Sequence, residues 1–159
     1  MPQRPLSSRT GGVVKVPTLE FLEEVERLYA VKFPAEYRAF CVRFQGVELQ
    51  AISGGTRPVG FITDLDTFRA VNTGVGEGQW GDLERAIVGK EHPKDGHRLW
   101  GAIVPFFFDG TDVYAFSEDG SEGEKVLVWA VHCIVHAYPS LLAFARTHLA
   151  GADFAGMRD

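Results

Sequence analysis

The sequence predicts an α+β domain: helices near the N-terminus, a mostly antiparallel meander, and a closing helix packed on the sheet. Three observations carry this prediction. Apolar residues recur at helical spacing from Phe21 to Phe44 and again after Pro139. Between them lie apolar runs of strand length, joined by short connections that exclude the long crossovers of a parallel sheet. Helices segregated from strands along the chain place them on one face or end of the sheet. At 159 residues, 45% hydrophobic and 23% charged, the chain is large enough to bury one core without disulfides or metal.

Residues 1–16 are polar, with Pro2, Pro5, Gly11 and Gly12, and read as a flexible N-terminal tail before a single domain over 17–159. Thr18 is the expected N-cap of a first helix whose Phe21, Leu22, Val25, Leu28 and Tyr29 share one face. A second helix opens at Pro34, with Glu36 favourable in its first turn. Its Tyr37, Phe40, Cys41 and Phe44 fall at i, i+3, i+4 and i+7, and Gly46 stops it. Val47 to Thr63 reads as two short strands with a turn at Gly54-Gly55.

Thr63 and Asp66 fit a capping box for a third helix carrying Leu65, Phe68 and Val71, which glycines 74, 76, 78 and 81 then break. Asp82 to Val88 suits a further short helix, and His92 to His97 a polar loop. The run IVPFFFDGTDVYAFS, residues 103–117, is the strongest local signal. Asp109-Gly110 between two apolar runs marks a hairpin, and Pro105 predicts an edge or a bulge because it lacks an N–H. An acidic loop follows, then one long strand from Lys125 to about Val135. Pro139-Ser140 opens the final helix, with Leu141, Leu142, Phe144, Ala145 and Leu149 buried.

Candidate chemistry is sparse. Gly76 to Gly81 spells G-x-G-x-x-G, but a helix-like segment precedes it instead of the buried strand that a dinucleotide site needs. His132, Cys133 and His136 do not converge as zinc ligands must, because successive residues of one strand point to opposite faces, and His92 and His97 add no recognised spacing. Cys41 and Cys133 form no C-x-x-C pair and sit in apolar surroundings, as buried thiols of a reducing compartment do, with a disulfide as the alternative. Catalytic residues, metal and cofactor are therefore not assigned. A net charge of −5 disfavours nucleic acid and suits a basic protein partner. With no apolar leader and no membrane-length run, the expectation is a cytoplasmic protein with no membrane contact.

The best binding candidate is an acidic patch at one end of the hairpin. It comprises Asp109 and Asp112 in the turn with Glu118, Asp119, Glu122 and Glu124 in the next loop. Trp80 and Trp100 flank it in sequence as possible aromatic anchors.

Four segments in order carry a family resemblance: FPAEYRAFCVRFQG (33–46), IVPFFFDGTDVYAF (103–116), VLVWAVH (126–132) and SLLAFARTHL (140–149). With these the chain resembles the SUKH superfamily, which includes bacterial immunity proteins of polymorphic toxin systems and fungal cell-wall-assembly regulators. It departs from that pattern at Gln45-Gly46, Thr111-Asp112 and Cys133. The resemblance implies a single α+β domain without catalytic residues. The function it implies is neutralisation of a cognate toxin by stoichiometric binding. A regulatory scaffold of the same fold is the alternative, and a metal-dependent enzyme using His132, Cys133 and His136 a third class.

Overall fold

A computed structural model of the chain describes residues 13–52, 59–77, 96–99, 103–109, 112–118, 125–130, 133–152 and 154. Among these residues, four helices accompany two antiparallel sheets, which makes the architecture α+β. In chain order the elements are β1 (Val13–Val14), α1 (Leu19–Tyr29), α2 (Ala35–Arg43), β2 (Leu49–Ala51), β3 (Gly60–Phe61) and α3 (Leu65–Glu77). Then follow β4 (Ile103–Phe108), β5 (Val113–Ser117), β6 (Val126–Ala130), β7 (Cys133–Tyr138), α4 (Leu141–His148) and β8 (Leu149–Ala150).

The helices begin where local chemistry starts them. Thr18 accepts the Phe21 N–H at 3.2 Å and caps α1, whose Phe21, Leu22, Val25 and Tyr29 are buried. Pro34 holds the N-cap position of α2, and the stripe Tyr37, Phe40, Cys41 and Phe44 is buried throughout. Gly46, at φ 77°, lets the chain leave that helix. A buried clasp joins the two: Glu26 accepts the Phe33 N–H at 2.8 Å and an Arg38 N–H at 2.7 Å.

The third helix corrects two expectations. Its cap is Asp64, not the Thr63–Asp66 box, since the Asp64 carboxylate accepts the Thr67 N–H at 2.8 Å and its hydroxyl at 3.0 Å. Thr63 and Asp64 are both good caps, and the adjacent carboxylate takes the role. The helix also runs through Gly74 and Gly76 to Glu77. An interior glycine costs about 1 kcal/mol, less than the burial of Phe68 and Val71 on the same helix returns. Only Gly76 and Glu77 of the glycine-rich motif lie among the described residues; the expected helix over 82–88 lies outside them.

The larger sheet has the order β3-β4-β5-β6-β7, all antiparallel, as a meander requires. The bulge foreseen at Pro105 is present: the β4–β5 register shifts between Pro105 and Phe107, leaving Phe106 as the extra residue. Consecutive residues Phe106 and Phe107 consequently both reach Phe144 of α4, at 5.2 and 5.1 Å between ring centroids. Phe106 also stacks on Phe116 at 4.4 Å, and Tyr37 of α2 lies against both. This aromatic layer holds α2 and α4 to one face of the sheet.

The single strand expected from Lys125 to Val135 is two strands. Ala130 pairs with Cys133, and Val126 with Tyr138, so the chain reverses inside an apolar run that contains no Gly, Pro, Asn or Asp. Without a turn residue the sequence carries no punctuation there.

A second sheet, β1-β2-β8, was not foreseen. Val13 and Val14, read as part of the tail, pair with Gln50 and Leu49. Leu149, read as helical, leaves α4 and pairs with Ala51, while Ile52 donates to the carbonyl of His148 at 2.9 Å. Leu149 is buried in either conformation, so hydrophobic spacing does not distinguish them.

Candidate functional site

Successive turns of a meander fall at opposite ends of its sheet, and this divides the predicted acidic patch. The β4–β5 turn follows the pair Phe108–Val113, whereas Glu118 follows Ser117, which pairs with Ile103 at the far end. The length of β5 sets Asp112 and Glu118 roughly 20 Å apart. Glu118 therefore stands apart from Asp109 and Asp112, a separation that the meander order expected from sequence already implies. Asp119, Glu122, Glu124, Trp80 and Trp100 lie outside the described residues.

Asp109 and Asp112 are brought together, and with partners that sequence reasoning missed. The Asp109 N–H donates to the Asp112 carbonyl at 3.2 Å, and the Asp112 N–H donates to Asp109 Oδ1 at 2.8 Å. The other carboxylate oxygen, Oδ2, accepts the hydroxyl of Tyr114 at 2.5 Å. One side chain thus closes the turn and anchors it to β5. The Tyr114 ring is buried, with His148 of α4 packed against it at 4.8 Å. His148 Nε2 is hydrogen-bonded to the Tyr138 hydroxyl at 2.7 Å. His136, one turn of the pleat earlier on β7, is exposed and meets the Tyr138 ring edge-on at 4.9 Å.

These contacts shape the protonation states. Burial, then the Asp109 hydrogen bond and charge, raises the Tyr114 phenol far above its ordinary range, so it remains a donor. Burial and the neighbouring Asp109 charge raise Asp112. Burial, then both carboxylates, raises Tyr138. His148 is lowered by burial, with Asp109 opposing the shift, which keeps the imidazole neutral near pH 7. The cluster is a rigid, uncharged aromatic base carrying two adjacent carboxylates. Such an arrangement favours a cationic group, because a positive charge relieves the repulsion between Asp109 and Asp112.

Among the described residues, the remaining thiol and imidazole candidates lie on separate elements, Cys41 on α2 and His136 on β7. Cys41 is buried beside Tyr37 and Arg38, and burial pushes its thiol up to about 12 against their smaller lowering effects. A thiol so disposed packs as a small hydrophobe. Cys133 and His136 fall on β7, and His132 lies outside the described residues. Among the described residues, no three His, Cys, Asp or Glu side chains are grouped to hold a metal ion. No described helix is long and apolar enough to cross a membrane.

The chain matches no protein-family model, no curated protein and no solved structure.

Proposed function

We propose that this chain is a protein-binding domain of the SUKH kind, an immunity protein that neutralises a cognate bacterial toxin in the cytoplasm by tight stoichiometric binding. The observation that carries the reading is the β4–β5 turn. Its paired carboxylates are fixed in place by the Asp109–Tyr114 and Asp109–Asp112 hydrogen bonds before any partner arrives. A pre-ordered acidic contact loses little entropy on binding and steers a basic partner toward it. The net charge of −5 acts in the same direction over longer range, and a basic nuclease is the toxin class it suits. The α+β architecture is the one the family resemblance implies.

The test is to express the product of the adjacent reading frame with and without this chain. Growth is restored and the two proteins co-purify if the proposal holds. Asp112→Lys, at the half-buried end of the turn, weakens the complex at least tenfold while leaving the fold intact. Equal toxicity with and without the chain, or failure to form a complex, refutes the reading.

A further inference from the structure

β7 closes one side of the larger sheet, and among the described residues its neighbour is β6 alone. Its outer edge is a row of backbone donors and acceptors with the chemistry of a strand-pairing surface. Stretches of charge, proline or very short length normally protect such an edge. The opposite edge, β3, is protected by its length of two residues. β7 has six residues, and a bulge at Val135 is the one blunting feature it carries: Trp129 pairs with Ile134 and Val128 with His136. Ile134 and Val135 are 44% and 57% exposed.

The charge distribution makes this edge distinctive. No Asp, Glu, Lys or Arg occurs between Val126 and Ala145, in a chain that is 23% charged. Two copies at −5 each repel one another wherever carboxylates meet, and β7, which carries no carboxylate of its own, is where they approach at low cost. A basic partner has the reverse preference, because Asp112 at the start of β5 stands two strands inward, about 10 Å away, and Asp109 at the end of β4 one strand further. We infer that β7 pairs antiparallel with β7 of a second copy of this chain. The two-fold contact joins the five-stranded sheets into one continuous sheet and covers Ile134 and Val135 of both copies. It leaves the Asp109–Asp112 turn of each copy open, so the inference stands whether or not a toxin binds there.

Light scattering and sedimentation of the full chain across the micromolar range test this directly. The expected mass is twice 17.5 kDa. Ile134→Lys and Val135→Lys each halve it with unchanged far-ultraviolet circular dichroism. Val42→Lys, at an exposed apolar site on α2, leaves the dimer intact. Where a lysine variant misfolds, hydrogen exchange of the unaltered chain decides: amides of 133–138 slow with rising concentration. A monomer throughout the range, a dimer indifferent to both β7 substitutions, or exchange independent of concentration overturns the inference. Pairing of β7 only with a different protein overturns it equally.

Discussion

Tyr114 donates a hydrogen bond to Asp109, five residues earlier, at 2.5 Å, and this contact ties the β4–β5 turn to the buried face of the sheet. The turn spans Asp109 to Asp112, longer than a two-residue Asp-Gly connection, because Phe108 and Val113 are the last paired residues. Asp109 therefore serves the fold with both oxygens and contributes its charge to the surface at the same time.

Tyr114→Phe keeps the ring against Phe144 and His148 but removes the donor. The half-buried carboxylate then loses a charge-assisted bond, and stability falls by about 1.5–3 kcal/mol. Urea unfolding measures the loss. Asp109→Asn is milder, because an amide oxygen still accepts the Asp112 N–H. Equal stability of Tyr114→Phe and the unaltered chain refutes the assigned role.

His148 makes stability fall with acid. Its folded-state pKa lies below the ordinary value, so the unfolded chain binds the proton more readily. The His148 contribution is complete above about pH 6.5 and declines as pH falls through the folded-state value. Asp112, raised in the folded state, acts with opposite sign at the lower pH of carboxylate titration. Denaturant midpoints between pH 7 and 5 should show the decline, and His148→Gln should flatten it. A His148 titration midpoint at or above the ordinary histidine value, seen by NMR, contradicts this.

The clasp between α1 and α2 predicts an order of effects. Glu26→Ala leaves the Phe33 N–H buried without an acceptor and Arg38 without its close partner, costing about 3 kcal/mol. Glu26→Gln retains an acceptor for Phe33 and costs about 1 kcal/mol. The weaker contact of Arg38 with Glu23, at 3.9 Å and exposed, contributes little, so Glu23→Ala is near neutral. Thermal unfolding of the three variants tests the ranking.

Ala30 ends α1 in the left-handed conformation, at φ 55° and ψ 46°, with its N–H bonded to the Glu26 carbonyl. A side chain is strained there and glycine is not, so Ala30→Gly should stabilise the protein by about 0.5–1 kcal/mol. A lower unfolding midpoint for this variant counts against the cap geometry.

Much of the fold was legible because it rests on local chemistry. Thr18 and Ser140 mark helix starts through the backbone N–H groups their side chains cap, and Pro34 through its fixed φ. Alternation and the Asp-Gly signal marked the β4–β5 hairpin, and the missing N–H of Pro105 marked its bulge. The β6–β7 reversal was not legible, since it is made in residues with no turn preference and is enforced by pairing across the sheet. The same holds for β1 and β8, which are strands because β2 lies between them.

By itself the sequence determined the α+β class, the helix starts, the buried stripe of α2 and the place where the acidic turn begins. Those depend on contacts within a few residues and on hydrophobic period. Only the tertiary structure decided which groups meet. It carried His148 to the ring of Tyr114, beside Asp109, and to the hydroxyl of Tyr138. Spacing along the chain bears no relation to those contacts, because they are set by how α4 docks on the face of the sheet.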